Sequence, residues 1–600
     1  MAKRDCRLAG PRSAFLGAVV IAVSSIACAR VVTPPDSADG WARPVWDAGF
    51  ECDSPGGPTC DVPRIDAIAL DGPSPPDPLR PTGRGVCAPV VDRTATVRSF
   101  PAVEARRPPE GPSPVRLRSP LTQYNVGRRP LLRLINPAEN DGAFIDICLD
   151  QACTQLVDRI EAAQGDTTST IDLPYRTLWW RAWGRRSGFR SVEPSATWHF
   201  RVRPTTATGP TPGVPRMRDF NGDGYDDLHV TLGDEWREGA LFLGSACGLR
   251  TDEDPWRMGR LRWPIIAAMG DINGDGFADL ISRSQNPPPR HFAILGAATR
   301  PTPADELTGP DSTGATGSVY PLGDFDGDGR GEVVSLLATD RYLRITRDTL
   351  DAGLSFPLDS GHFGIEGIGD VDGDGYQDAV STNGGTGWSL AGERTTTYDV
   401  IYHGAPPPST FVGTLRVPLP AAGFALIPCD LGDVDGDGLD DFVVTYVGGL
   451  RVFAGGPRNS APRTIAEYAI PQPDRERGWA LWNAVGDFDA DGRTDLVVTS
   501  IDPDGTSEWR FWRHADLAAG APPTLGRPPP LARGLSGPPW TMDLNGDGRD
   551  DLVLSMLCCC RRGDRVWGDG ALRVFIAREA WPPFPQVDFV VPVNSCHVAL

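Results

Sequence analysis

Apolar residues along this chain fall in short runs broken by turn residues, the pattern of many strands rather than of long helices. Over residues 213–593 seven acidic segments, starting at 219, 271, 324, 370, 433, 487 and 543, are each followed by a short apolar run: DLHVT, DLISR, EVVSL, DAVST, DFVVT, DLVVT and DLVLS. A second run follows in each unit, namely ALFLG, FAILG, YLRIT, DVIYHG, LRVFAG, WRFWR and LRVFIA. Successive spacings of 52, 53, 46, 63, 54 and 56 residues mark an array of repeated units. With one strand before the acidic segment and one closing the unit, each repeat predicts four strands, the content of a propeller blade.

Upstream, residues 114–204 alternate with period two in RPLLRLINP, AFIDICLD, TSTIDLP, TLWWRAWGRR and ATWHFRV, which predicts a small β-sandwich with Trp179, Trp183 and Trp198 in its core. Aromatic stacking on sugar is the alternative role for these three. In strand rhythm this region resembles fibronectin type III or immunoglobulin-like modules. Residues 28–113 are dense in Pro, Asp, Gly and Arg without an apolar period, and predict an extended stalk that holds the sandwich and propeller away from a surface. Residues 1–27 have the charged start and apolar stretch of a secretory signal. Ser25-Ile26-Ala27-Cys28 resembles a bacterial lipobox, which implies lipidation at Cys28 and an outer-membrane or surface lipoprotein; ordinary cleavage after Ala27 and free secretion is the alternative.

The acidic segments carry the chemistry. Oxygen ligands at positions 1, 3 and 5, a glycine at 6, a carbonyl at 7 and an acid at 9 would wrap a hard cation of calcium size. The first loop supplies Asp219, Asn221, Asp223, the Tyr225 carbonyl and Asp227; the second Asp271, Asn273, Asp275, Phe277 and Asp279. The third supplies Asp324, Asp326, Asp328, Arg330 and Glu332, and the fourth Asp370, Asp372, Asp374, Tyr376 and Asp378. Asp433, Asp435, Asp437, Leu439 and Asp441 form the fifth, Asp487, Asp489, Asp491, Arg493 and Asp495 the sixth, and Asp543, Asn545, Asp547, Arg549 and Asp551 the seventh. Position 12, where an EF-hand needs a bidentate glutamate, holds Val230, Ser282, Ser335, Ser381, Val444, Val498 and Leu554, so that reading fails. The ligand positions of these loops hold 25 carboxylates, and without them the formal charge would move from −20 to +5. Carboxylates packed this closely repel unless cations lie among them, so metal binding is coupled to folding.

The seven loops resemble the FG-GAP or VCBS repeats of integrin α-chain propellers and their bacterial relatives, across 213–593. The resemblance implies a seven-bladed β-propeller with up to seven Ca²⁺, calcium hairpins on one face, and ligands bound across the other by loops joining second to third strands. There Trp388, Arg394, Arg561, Arg562 and Trp567 suit contact with sugar or protein.

Other chemistry is thin. The single lysine, Lys3, leaves no phosphate-loop or Schiff-base lysine, and no basic stripe offsets the acid for nucleic acid. The seven histidines form no HExxH pair, and GxSxG is absent. Thirteen cysteines suit an oxidising compartment; Cys52–Cys60 and Cys148–Cys153 bracket turns, whereas Cys558, Cys559 and Cys560 have no readable partners. The expectation is an all-β, non-catalytic, calcium-stabilised cell-surface adhesion protein for an extracellular carbohydrate or protein. An extracellular polysaccharide lyase or hydrolase built on the propeller, and a cell-envelope structural protein, are the alternatives.

Overall fold

The structure is a computed structural model that describes residues 81–89, 91–207, 213–214, 218–232, 238–257, 264–284, 291–300, 306–308, 319–337, 342–346, 354–357, 362–383, 398–405, 414–418, 425–446, 448–458, 460–470, 480–501, 507–526, 539–556 and 571–592. The signal segment, Cys28, Cys52, Cys60, Cys558–Cys560 and the five candidate ligand residues Trp388, Arg394, Arg561, Arg562 and Trp567 lie outside the described residues.

The fold is all-β, with one short helix, His514–Ala518, among the described residues. Between 116 and 202 two sheets enclose one core. The larger runs Tyr124–Val126, Trp198–Val202, Thr177–Arg186, Gly142–Cys148, Leu156–Ala162; the smaller runs Arg116–Ser119, Leu131–Ile135, Thr167–Thr168. Leu117 and Leu132 of the small sheet pack in the same core as Ile145, Ile147, Trp180 and Phe200. The two-residue period of Thr177–Arg186 sends Leu178, Trp180 and Ala182 inward and Trp179, Arg181 and Trp183 to the opposite face. The core assignment therefore holds for Trp198, while Trp180 fills the place expected of its two neighbours. Trp183 is buried beneath the guanidinium groups of Arg181 and Arg190. Trp179 packs on the Cys148–Cys153 disulfide, the turn-bracketing bridge expected from the sequence.

Seven successive antiparallel sheets follow. In the fifth, Ala425–Gly432, Asp441–Tyr446, Gly449–Phe453 and Thr464–Ala469 pair in chain order, and sheets two, three, four and six repeat this plan. The second strand of the fifth sheet is buried throughout because sheets cover both its faces. One core joins Val443 and Leu450 to Leu496 and Val498 of sheet six, and another joins Phe442 and Val444 to Ile368 and Val380 of sheet four. The first sheet holds only Leu228–Leu232, Glu238–Phe242 and Trp256–Arg257 among the described residues, and Val214 bridges Asn125 of the two-sheet unit.

First and last sheets close on each other. Leu228, Val230 and Phe242 share a core with Val553, Leu572 and Val574. The last sheet also gains a fifth strand from the N-terminal side: Thr82 and Gly83 pair with Val590 and Phe589, and Cys87 is disulfide-bonded to Cys247 of the first unit. Arg98 meets Asp158, and Ala105 bridges Arg190. The expected stalk to residue 113 is thus corrected, since the chain is engaged from Thr82 onward. An open sheet edge and a half-cystine can order a Pro-rich segment that lacks an apolar period. Because Cys87–Cys247 spans 160 residues, Cys87→Ser is expected to lower unfolding free energy by roughly 2–5 kcal/mol in denaturant titration. An unchanged midpoint would show that sheet pairing alone closes the ring.

Candidate metal centres

Each acidic loop is shaped by its own side chains. The position-1 carboxylate of the first loop, Asp219, accepts from the amides of Gly222 and Gly224, both at 2.7 Å. Asn221 Oδ1 accepts from Asp223 N, and Asp223 Oδ1 from Tyr225 N, so each polar side chain ties down the backbone two residues on. Positions 4 and 6 have left-handed backbone, with φ of 71° and 88° at Gly222 and Gly224. In loops one, two, three, four and seven position 4 must also be small because the position-7 side chain of the next loop lies on it, whereas a Cβ on Gly436 of the fifth would meet open space. A Cβ on Gly327 would sit 2.6 Å from Tyr376, and one on Gly546 would sit 2.7 Å from Tyr225. The sixth loop is the exception, with Ala490 at φ 61°.

The position-9 acid is a clamp. In all seven loops one of its oxygens accepts the position-2 amide, as Asp441 Oδ2 does from Val434 N at 2.7 Å. In six, the other oxygen accepts an amide just beyond the neighbouring strand, as Asp441 Oδ1 does from Gly455 N at 2.8 Å.

Loops are also joined to one another. The position-8 amide donates to the position-1 carbonyl of the preceding loop at six junctions: Ala278 to Asp219, Gly331 to Asp271, Gln377 to Asp324, Asp440 to Asp370, Asp550 to Asp487, and Asp226 to Asp543. The last of these, at 2.9 Å, closes the ring between first and seventh loops. Where position 8 is acidic its carboxylate accepts a bond in return, as Asp226 Oδ2 does from Asp543 N at 2.8 Å. Gly331 has no side chain, and Gln123 of the two-sheet unit takes that part, its Oε1 accepting from Asp271 N at 3.0 Å.

The carboxylates converge. In the third loop Asp324, Asp326, Asp328 and Glu332 bring four oxygens within 4.8 Å of one another, and Asp324 Oδ1 and Glu332 Oε1 are buried with no hydrogen-bond partner. Asp433, Asp435 and Asp441 converge likewise, as do Asp487, Asp489 and Asp495, and Asp370, Asp372 and Asp374. These buried clusters could hold metal ions; unsatisfied buried oxygens of this kind are otherwise costly. In loops one, two and seven the position-3 asparagine instead turns its amide nitrogen to the position-5 acid, at 3.1, 3.0 and 3.1 Å. A cation there would draw the amide oxygen inward. Of the position-7 residues, Tyr225, Phe277, Tyr376 and Leu439 pack on the preceding loop's glycine as described, and Arg330 approaches Gly274. The amides of Arg493 and Arg549 bond to Asp491 and Asp547.

Without a cation these acids resist ionisation. Burial pushes Asp271 and Asp441 up to about 7, and Asp219 to about 6. Burial first, then neighbouring carboxylates, raises Asp324, Glu332, Asp495 and Asp551 well above the carboxylate range. Raised folded-state values favour the protonated fold, so this stability is present below the unfolded value near 4 and is lost as pH rises through 6 to 7. Chelated protein should therefore melt higher near pH 5 than at about pH 7.5, and excess divalent ion should reverse that order because protons then compete with it. The buried histidines oppose this in part, since burial holds His199 at about 4, His229 at about 3 and His514 at about 4, so their unfolded imidazoles protonate near pH 5 while the folded ones do not; the more numerous raised acids set the sign. Equal slopes with and without chelator, in melting scans at both pH values, would contradict it.

The sequence reading missed what lies on these loops. The two-sheet unit and the residues that follow it, to Thr206, touch all seven. Trp179 Nε1 donates to Gly274 O and Trp198 Nε1 to Gly327 O. Arg201 donates to Gly224 O, Arg116 to Asp374 O, and both Arg118 and Arg133 to Gly438 O. Thr205 and Thr206 donate to Ala490 O, and Arg203 reaches Asp543 at 3.0 Å. Trp179 and Trp198 are thus buried with their indole N–H groups turned to loop backbone, which does not favour the alternative sugar-stacking role.

Against known families, a model described as FG-GAP-like repeat matches residues 196–282, 433–498 and 487–554. No curated protein matches the chain. Among solved structures, BBS1N in complex with ARL6DN, soaked with lead, is 11% identical at a TM-score of 0.28, covering 60% of this chain and 90% of that one. The mercury-soaked form is 12% identical at 0.28, covering 63% and 94%.

Proposed function

We propose that this chain is a calcium-stabilised, non-catalytic binding protein of the cell envelope, tethered through a lipid on Cys28 and recognising an extracellular carbohydrate or protein. The observation that carries the metal reading is the third loop, where four carboxylates share one small volume and two buried oxygens lack partners. An all-oxygen set at this spacing suits calcium, which takes six to eight oxygen ligands. FG-GAP-like repeats in three places support an adhesion-type propeller. In this reading the two-sheet unit is a fibronectin- or immunoglobulin-like module that caps the loop face, which leaves the opposite face for the ligand. The loops expected there carry Trp388, Arg394, Arg561, Arg562 and Trp567.

Incubating the full chain in calcium with glycan and protein arrays tests the reading. Saturable, calcium-dependent binding without product supports it, and Trp388→Ala with Trp567→Ala should weaken that binding. Release of cleaved glycan would replace it with an enzymatic role.

A further inference from the structure

The fourth loop differs from its neighbours in chemistry. His403 sits just before Gly404, whose amide binds the position-9 acid Asp378 at 3.0 Å. At the same place in other sheets stand Leu243, Leu295, Ala454, Arg513 and Ile576, before the residues that bond Asp227, Asp279, Asp441, Asp495 and Asp551. His403 is only 3% exposed. Its Nδ1 lies 3.1 Å from Asp372 Oδ2 and 3.3 Å from Asp378 Oδ1, yet neither ring nitrogen completes a hydrogen bond. Asp372, Asp378 and His403 thus bring three donor atoms together, all within 4.8 Å of one another.

Charge separates this loop from the third. Arg458 holds Asp372 through Nε at 2.5 Å and also binds Asp374, while Arg118 lies 3.8 Å from Asp370. Four carboxylates against two guanidinium groups leave two negative charges, which one divalent ion balances if the imidazole is neutral. Calcium takes oxygen ligands, whereas a neutral imidazole nitrogen favours zinc and the late transition metals. Arg458 then serves as the outer hydrogen-bond donor that orients the ligating carboxylate.

We propose that Asp372, Asp378 and His403 form a mixed nitrogen and oxygen site for a zinc-class divalent ion, set within an array of oxygen-only loops. The proposal rests on the reading of the other loops as metal centres. The full chain, stripped by chelator, is dialysed against zinc with calcium in large excess, and both metals are counted; cobalt(II) serves as the visible-spectrum probe for nitrogen ligation. The expected result is one equivalent of zinc held against calcium. Loss of an outer-shell partner costs about 10–100-fold in affinity, so His403→Leu should weaken zinc binding by more than about 100-fold while calcium uptake stays unchanged. His403→Cys, which keeps a ligand, should retain zinc and shift the cobalt spectrum toward thiolate. Calcium-bound melting curves identify any variant that fails to fold. Zinc uptake that is absent, or equal in wild type and His403→Leu, overturns the proposal while calcium uptake by the other loops still stands. Failure to bind either metal overturns the broader reading as well.

Discussion

Excess EDTA is expected to lower the melting temperature of the full chain at neutral pH by on the order of 10 °C. Each ion bound to the fold and not to the unfolded chain contributes about 2.7 kcal/mol at a hundredfold excess over Kd. Three such sites already give about 8 kcal/mol, and each kcal/mol is worth roughly 2 °C or less in a domain of this size. The third, fifth and sixth loops, where at least three carboxylates converge, are the first candidates. Removing their ions also leaves Asp324, Glu332, Asp441, Asp487 and Asp495 either protonated or mutually repelling. The shift should be restored by added calcium and followed by calorimetry; a change within error would mean that hydrogen bonds satisfy these loops unaided.

Replacing Arg203 with alanine is expected to cost about 3–5 kcal/mol in urea unfolding, even with calcium saturating. Arg203 is buried, its Nε lies 3.0 Å from Asp543 Oδ2, and NH1 lies 3.1 Å from Asp550 Oδ1. These acids do other work at the ring junctions: Asp550 accepts the Asp487 amide at 2.7 Å, and Asp543 receives the closing bond from Asp226. Truncation leaves buried carboxylates without their counter-charge at the point where first and last units meet. Arg203→Lys should recover only part of the loss, because an ammonium cannot span both acids in the plane of a guanidinium fork. A cost below about 1 kcal/mol would place this pair in the class of screened surface ion pairs.

Much of this was legible in the sequence. The loop spacing fixed the number of units, and the ninth-position acid excluded an EF-hand and proved to accept the position-2 amide in every loop. Glycine at position 4 was visible as a repeat, but its second cause, the neighbouring loop's ring, requires the assembled array.

The docking of the two-sheet unit was hidden for a physical reason. In Thr177–Arg186 three tryptophans look alike, and only the strand's register decides that Trp180 faces the core while Trp179 reaches Gly274. Arg116, Arg118, Arg133, Arg201 and Arg203 read as solvated charge on alternate strand positions, yet each meets a loop carbonyl or carboxylate. The clasp at Thr82–Gly83 and Cys87 was equally silent, since backbone pairing and a lone half-cystine leave no periodic trace. His403 was one of seven scattered histidines until the fold brought it to Asp372 and Asp378.

Calcium per chain, counted by equilibrium dialysis of the full-length protein after exhaustive chelation and return to millimolar calcium, tests the metal-centred ring most directly. The expected result is several equivalents, with one lost when Asp324→Asn and Glu332→Gln are combined in the third loop. Retention of the folded state with no calcium bound would contradict it.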